Sequence, residues 1–193
     1  MTQPKTSDKI LRAALTLFER GGAEAVSMRR VADAVGITPM AIYRHFDSRD
    51  ALLKRISDTS FDDAARDWSQ HLDHPDVMQR LLKTQEMYLD YALLHPHLFD
   101  HAFSTRRRDA RRFPEDFHGR HSPTLNVVAD TVLEGMRQGV LREDDAWDVA
   151  MTLWAHAHGL IALYRAGRFS YDVKQFRQFY LASIGKLLDG LKA

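Results

Sequence analysis

The sequence predicts an all-α fold of about nine helices. Across most of the 193 residues, apolar side chains recur three and four positions apart, the spacing that lines one face of a helix. Alternating apolar and polar residues, which are typical of half-buried strands, are scarce. Because 45% of the residues are apolar, the chain can also fill a buried core. We therefore expect packed helices from one end of the chain to the other.

The first predicted helix begins near Ser7, because a serine hydroxyl can cap the amide groups of a helix start. We expect this helix to end at Gly21 and Gly22, since glycine favours the backbone conformations that stop a helix. Its apolar stripe consists of Ile10, Ala14, Leu17 and Phe18.

Residues 27–46 predict two short helices joined by a tight turn. Ser27 suits the N-cap of the first helix, and Gly36 suits the turn. Thr38 suits the second N-cap, and Pro39 fits the first helical position, where the missing amide hydrogen would have no partner. The inner face of the first helix is predicted to be Val31, Ala32 and Val35. This is the pattern of a helix-turn-helix.

The outer face of the second short helix is the candidate DNA-reading surface. Ile42 and Phe46 are four positions apart, so both are expected to turn toward the core. A helix fits the major groove of B-DNA, where arginine bonds guanine and apolar groups touch the thymine methyl. The residues left mainly outward are Met40, Ala41, Arg44 and His45, with Tyr43 at the edge. Those suited to phosphate are Ser27, Thr38, Tyr43, His45 and Arg49, whereas Arg29 suits either target.

The basic residues are concentrated at the N-terminal end. Residues 1–55 contain ten Lys or Arg and six Asp or Glu, a net charge of +4, and the remainder carries −3. This asymmetry is expected when one end of a protein contacts a polyanion such as DNA.

The C-terminal part predicts three longer helices, preceded by a helix that starts near Ser48 and leaves the helix-turn-helix. Ser122 and Pro123 open the first of the three, as N-cap and first-turn proline. The second is apolar on more than one face and ends near Gly167, and the third covers about Val173 to Leu191. Two adjacent helices with this much apolar surface favour a subunit interface.

Residues 7–60 resemble the DNA-binding domain of the TetR family of regulators. The matching motifs are the aromatic-Glu-x-Gly end of the first helix, the Arg-x-x-Ala-x-x-x-Gly-Ile turn and the Ile-Tyr-x-His-Phe-x-Ser-Arg exit, in that order. The resemblance implies that Arg49, where the family often has lysine, contacts phosphate. It further implies base contacts by Arg29, Met40, Ala41 and Arg44, and phosphate contacts by Thr38, Tyr43 and His45.

The second half resembles one branch of the same family through its Trp154-x-x-x-His158-Gly159 helix. The resemblance implies a homodimer formed through the last two helices and an unknown small-molecule effector bound in each C-terminal domain. The candidate pocket residues, any of which could instead belong to the core, are Met87, Tyr91, Phe99, Phe103, Met136, Met151, Trp154 and His158.

We thus expect residues 1–50 to form a DNA-binding domain and residues 51–193 to form a ligand-binding and dimerisation domain. A dimer would place two heads in successive major grooves of a palindromic operator, about 34–36 Å apart. Filling the effector pocket would release the DNA, as in a repressor. The effector, the operator sequence and the regulated genes are not encoded in any pattern we find.

Other functional classes have less support. The sequence contains no cysteine, Gly-rich phosphate loop, Ser-centred elbow or His-Glu-x-x-His motif, so we expect no enzyme, cofactor or metal site. The two alternatives are a small all-helical enzyme, which lacks these motifs, and a nonspecific architectural DNA binder. An architectural binder would be expected to have a more basic chain. The polar N-terminus and the absence of a long apolar run predict a cytoplasmic protein without a membrane segment. Residues 105–121, with six arginines, predict a mobile loop more than a second DNA contact.

Overall fold

The computed structural model describes residues 5–103 and 110–193 and confirms the all-α fold. Within these ranges it contains ten helices and no strand, only an isolated antiparallel bridge between Leu141 and Lys192. The helices are α1 (Thr6–Ala25), α2 (Met28–Val35), α3 (Pro39–Tyr43), α4 (Arg49–Gln70), α5 (Val77–Leu94), α6 (Pro96–Phe103), α7 (Glu115–His118), α8 (Pro123–Arg137), α9 (Ala146–Arg165) and α10 (Val173–Asp189).

The first compact unit, which we call the head, contains the described residues 5–61 and 94–103. Helices α1, α2 and α3 and the beginning of α4 enclose an apolar core, and α6 packs against α1 within the same unit. The core residues with no exposed surface are Ile10, Ala14, Phe18, Val31, Ala32, Ile42 and Leu52. The head extends past residue 50 and includes α6, so it does not coincide with the predicted DNA-binding domain of residues 1–50. The functional boundary at residue 50 therefore stays a prediction.

Helix α1 differs from the prediction at its start. It begins at Thr6 with Lys5 as N-cap, so Ser7 lies inside the first turn and does not cap it. The regular helix is interrupted at Gly21 and Gly22 as predicted, because both residues leave helical geometry, and a further helical turn continues to Ala25. Gly22 has a φ of 65°, a left-handed conformation that glycine adopts without the penalty of a Cβ. The glycine pair therefore breaks the regular helix before this last turn.

The second compact unit, which we call the body, contains the described residues 62–93 and 110–193. Helix α9 packs between α8 and α10. The Tyr180 hydroxyl on α10 donates a 2.9 Å hydrogen bond to the Gln85 carbonyl oxygen on α5, and Arg177 forms ion pairs with Glu86 and Asp90 on α5. Since all five residues lie away from the helix ends, these contacts fix the position of α10 along the length of α5.

The segment between α6 and α8 contains more structure than the sequence indicated. Residues 105–109 of the predicted mobile loop lie outside the described part of the chain, and the rest contains α7. Arg120 forms a bidentate pair with Asp130, with bonds of 2.9 and 2.8 Å. Ser122 is the N-cap residue of α8 and Pro123 opens the helix, as predicted, but the Ser122 hydroxyl makes no capping hydrogen bond.

No helix in the described residues is both long and apolar enough to cross a membrane.

Candidate nucleic-acid interface

Helices α2 and α3 form the expected helix-turn-helix, and side chains fix the start of α2. The Ser27 hydroxyl accepts a 3.2 Å hydrogen bond from the Arg30 amide, which satisfies one of the amides that a helix leaves open at its start. Gly36 ends α2 in the left-handed region, with φ 75°, and its amide bonds to the Ala32 carbonyl oxygen at 2.9 Å. A residue with a Cβ would be strained at this φ, which explains glycine at the turn.

Helix α3 is capped in the same way but is shorter than predicted. The Thr38 hydroxyl oxygen accepts the Ala41 amide at 3.3 Å, and Pro39 occupies the first turn. The helix ends at Tyr43, because the amides of His45 and Phe46 both bond to the Ile42 carbonyl oxygen and tighten the last turn. Arg44 and His45 therefore belong to the turn that follows the helix, not to the helix itself.

The outer side of α3 carries large apolar side chains in water. Met40 is 69% exposed and Tyr43 is 47% exposed, whereas Ile42 between them is fully buried. Exposing such side chains is unfavourable unless a partner covers them. Four of the other predicted contact residues are exposed, namely Arg29, Thr38, Arg44 and His45. The remaining three, Ser27, Ala41 and Arg49, are half-buried.

Arg49, the first residue of α4, makes contacts that the sequence did not indicate. Its Nε donates a 2.7 Å hydrogen bond to the Val26 carbonyl oxygen, and its Nη2 donates a 2.6 Å bond to the Ala23 carbonyl oxygen. Its guanidinium is thus partly engaged inside the head, and the remaining nitrogen, Nη1, lies 4.0 Å from the Asp50 carboxylate. The predicted phosphate contact would have to use the N–H groups that these bonds leave over, two on Nη1 and the second one on Nη2.

The candidate pocket residues do not form one group. Phe99 and Phe103 belong to the head, where their rings pack edge to face at 5.1 Å and Phe103 also contacts Phe61. The remaining candidates belong to the body, with Met87 and Tyr91 buried and Met136, Met151, Trp154 and His158 half-buried.

Trp154 and His158 meet a third residue, Tyr88, that sequence reasoning missed. The Tyr88 hydroxyl lies 2.9 Å from Nδ1 of His158 and is also hydrogen-bonded to the Trp154 side chain. An indole N–H can only donate a hydrogen bond, so Trp154 donates to the Tyr88 hydroxyl oxygen. The Tyr88 hydroxyl proton is then free to be donated to Nδ1 of His158. The three side chains form a polar chain within the body core. No local pattern indicates it, since Tyr88 and His158 are 70 positions apart.

Burial controls the protonation of this polar chain. It raises the pKa of the Tyr88 phenol and lowers the pKa of the His158 imidazole below its ordinary value of 6.5. The cause in both cases is desolvation, which disfavours the charged form. Neutral imidazole is also the form whose Nδ1 accepts the Tyr88 proton. The folded protein therefore favours neutral His158.

This preference predicts a pH-dependent stability. In the unfolded chain, His158 binds a proton near pH 6.5, but in the folded protein it resists protonation until a lower pH. Its contribution is fully present above the unfolded pKa and is lost as the pH falls toward the folded one. We expect His158→Gln to have a flatter decline in the free energy of unfolding between about pH 7 and pH 5 than the wild type, measured by urea denaturation.

A matched control for this experiment is Thr152→Gln, at an exposed position of the same helix. Threonine has no group that titrates in this range, so we expect Thr152→Gln to keep the wild-type pH dependence. A His158→Gln profile parallel to that of the wild type would contradict the role given to His158.

One group in the described residues has the geometry to hold a metal ion. The ligand atoms of His118, Asp145 and Asp148 lie within 4.8 Å of one another, and all three residues are exposed. The Asp145 carboxylate, however, accepts the amides of Trp147 and Asp148 at 2.8 and 3.1 Å and so caps α9. This capping role accounts for Asp145 without an ion, and we assign the group no metal.

Comparisons with known families cover both units. The family described as bacterial regulatory proteins, tetR family, matches residues 10–56. The family described as tetracyclin repressor-like, C-terminal domain, matches residues 81–184, which is more than half of the chain.

Two curated relatives match the chain over about a third of their own length. The HTH-type transcriptional repressor KstR2 of Rhodococcus jostii (strain RHA1) is 35% identical over 72 residues, which cover 33% of this chain and 35% of the relative. The uncharacterized HTH-type transcriptional regulator YfiR of Bacillus subtilis (strain 168) is 32% identical over 73 residues, which cover 38% of this chain and 36% of the relative.

Solved structures share the fold over nearly the whole chain. A protein with unknown function from Rhodococcus sp. RHA1 has a TM-score of 0.82 at 19% identity, covering 99% of this chain and 97% of the other. The transcriptional regulator FadR from Bacillus subtilis, in complex with stearoyl-CoA, has a TM-score of 0.72 at 13% identity, covering 94% and 96%. With the two family matches spanning the helix-turn-helix and most of the body, the chain belongs to the TetR family of bacterial regulatory proteins.

Proposed function

We propose that this protein is a sequence-specific DNA-binding repressor that a small-molecule effector releases from its operator. The observation that carries the proposal is the outer side of α3, where Met40 and Tyr43 are exposed beside two basic side chains, Arg44 and His45. A capped helix-turn-helix with such a face suits the major groove of DNA. Since its target is operator DNA, the protein acts in the cytoplasm and without catalysis.

The contacts divide into those that read bases and those that hold the backbone. We assign base contacts to Arg29, Met40, Ala41 and Arg44, because guanidinium groups bond guanine edges and apolar groups fit the thymine methyl. We assign phosphate contacts to Ser27, Thr38, Tyr43 and His45, whereas the Arg49 guanidinium is held by backbone carbonyl oxygens inside the head. The start of α2 supports this division, since helix N-termini attract anions. Residues 1–50 would then form the DNA-binding domain, and residues 51–193 the effector-binding and dimerisation domain.

The last two helices supply the proposed dimer interface. On α9, four small residues repeat at intervals of four, three and four positions and so share one face: Ala155, Gly159, Ala162 and Ala166. A Cβ added at Gly159 would meet nothing within 4 Å. Leu163 beside this face is 49% exposed, and Phe179 on α10 is 39% exposed. A second copy would bury these surfaces in a two-fold interface.

Two kinds of support favour effector-controlled repression. The Rhodococcus jostii relative KstR2 is named a repressor, and the Bacillus subtilis neighbour FadR is described with stearoyl-CoA bound. In this chain, the polar chain of Tyr88, Trp154 and His158 gives the largely apolar body core a place where an effector could exchange hydrogen bonds. An effector that binds better to the body conformation with displaced heads would release the operator by linkage.

Selection of random duplex DNA by the purified protein, followed by sequencing of the bound fraction, tests the proposal. Enrichment of a palindrome with half-sites about one helical turn apart would support a dimeric operator-binding regulator. Equal retention of all sequences with a steep salt dependence would instead indicate a nonspecific architectural binder. Retention of no DNA would overturn the proposal.

Two substitutions separate base contacts from phosphate contacts. We expect Arg44→Ala to change which bases are preferred, because a lost arginine–guanine contact costs about 1–3 kcal/mol of discrimination at one position. Tyr43→Ala should weaken binding to all sequences alike, because phosphate contacts carry no sequence information. The same selection applied to both variants measures the difference. An Arg44→Ala variant with the full wild-type preference would refute its base contact.

A further inference from the structure

Arg49 occupies a position where charge and motif both favour a phosphate contact, yet its donors point into the head. The Nε–Val26 and Nη2–Ala23 hydrogen bonds, at 2.7 and 2.6 Å, join residues that are 23 and 26 positions apart. The Arg49 side chain is 36% exposed, and Glu24 contributes only a distant charge at 3.9 Å from Nη2. Hydrogen bonds from a charged donor are stronger than neutral ones.

The two accepting carbonyls belong to the last turn of α1 and to Val26, the residue that follows this helix. Val26 immediately precedes the N-cap Ser27, so its carbonyl oxygen lies before the hydrogen-bond ladder of α2. The Ala23 carbonyl oxygen already accepts the Val26 amide at 3.0 Å and thereby closes this turn. Arg49 thus binds a closed turn that leads directly into the start of α2.

Arg49 also stands close to the other DNA-facing segment. It begins α4, and only the turn of residues 44–48 separates it from the end of α3. Its guanidinium therefore links the entry to α2 with the exit from α3. A planar guanidinium can hold two carbonyl oxygens with fixed directions, whereas a lysine ammonium acts as a single point charge on a flexible stem.

We propose that Arg49 is a positioning residue for DNA binding, which holds the N-terminus of α2 in register with α3. It acts on DNA binding indirectly, by placing the contact residues at the start of α2 and in the turn after α3. These residues are Ser27, Arg29, Arg44 and His45. The inference rests on the proposed function, since the positioning matters for DNA only if these residues contact it.

The test compares Arg49→Lys with the wild type. Lysine keeps the charge and can bind phosphate, but it cannot make the two directed bonds. We expect Arg49→Lys to bind the selected duplex at least about tenfold more weakly, with the slope of log affinity against log salt unchanged because no phosphate contact is lost. Thermal unfolding followed by circular dichroism should show that the variant still folds.

Hydrogen exchange on the free protein provides a readout that does not involve DNA. We expect the Val26 amide to exchange faster in Arg49→Lys, because its acceptor, the Ala23 carbonyl oxygen, loses the guanidinium that holds it. The Arg30 amide, which closes the cap on Ser27, should also exchange faster, because Val26 directly before Ser27 loses its own bond to Arg49. Arg55→Lys, at an exposed position of the same helix, is the matched control and should leave exchange and affinity unchanged.

The outcomes distinguish this inference from the proposed function. The positioning role would be overturned if Arg49→Lys kept both the wild-type affinity and the wild-type exchange rates. A phosphate contact would be established if, in addition, Arg49→Met reduced the slope of log affinity against log salt by about one. If the wild type bound no duplex, the proposed function would fail, while faster exchange in Arg49→Lys would still support the contact with the turn.

Discussion

We expect Phe18→Ala to lower the free energy of unfolding of the head by about 3–5 kcal/mol, the usual cost of removing a buried aromatic ring. Phe18 has no exposed surface and lies in the head core with Ile42 of α3. Its ring also packs edge to face on His101 of α6, with ring centres 5.4 Å apart. The ring is therefore enclosed by the head core and by α6, and its loss would leave a cavity that the head can fill only by moving its helices.

The measurement is native-state hydrogen exchange of amides in α1 and α2, combined with urea denaturation of the whole chain. Met40→Ala is the matched control, because it also removes a large apolar side chain from the head but from a position that is 69% exposed. This control should change stability by less than about 0.5 kcal/mol. Equal effects of the two substitutions would mean that the ring of Phe18 does not hold the head together.

The parts of the head that were predictable are those fixed by neighbouring residues. Ser27 and Thr38 cap helices, and Gly36 turns the chain, through bonds that span no more than four positions. Such contacts follow from residue type and spacing alone. The same reasoning failed at Ser7, because Thr6 already starts the helix and the serine hydroxyl lies within reach of Asp8 instead.

Contacts between distant residues were not predictable. Nothing near Arg49 in the sequence indicates that its guanidinium bonds to carbonyl oxygens at Ala23 and Val26, because backbone acceptors exist at every position. The pairing of Tyr88 with His158 is hidden for the same reason. Both contacts depend on how helices pack, and periodicity specifies which face of a helix is apolar but not which helix covers it.

The candidate pocket illustrates this limit. Aromatic and sulfur-containing side chains were grouped by composition, yet Phe99 and Phe103 pack with Phe61 in the head while Trp154 and His158 lie in the body. Composition cannot separate a ligand-contacting ring from a core ring, since both are apolar and partly buried. The polar chain around Tyr88 is a more specific starting point for effector mapping, because buried hydrogen-bonding groups fix the orientation of a ligand.

The dimer interface gives the second large prediction, in which Ala162→Arg should separate the subunits. Ala162 is exposed in the single chain, so arginine there leaves the packing of the monomer intact. In the proposed interface it would place a charge at the centre of the small-residue face of α9, where no carboxylate of α9 lies within reach on the same face. Burying an unpaired charge is strongly unfavourable.

Sedimentation would measure the change as a shift from two chains to one chain of 22.2 kDa. Operator affinity should fall about 100-fold or more, because a dimer binds its second half-site at a high effective concentration that a monomer lacks. Gln79→Arg adds the same charge at an exposed position of α5 and should leave both measurements unchanged.

A dimeric Ala162→Arg protein would place the interface elsewhere. A monomeric Ala162→Arg protein with wild-type operator affinity would show that each head binds its half-site independently. In the second case the linkage between effector and DNA would have to act within one subunit, without a change in the spacing of two heads.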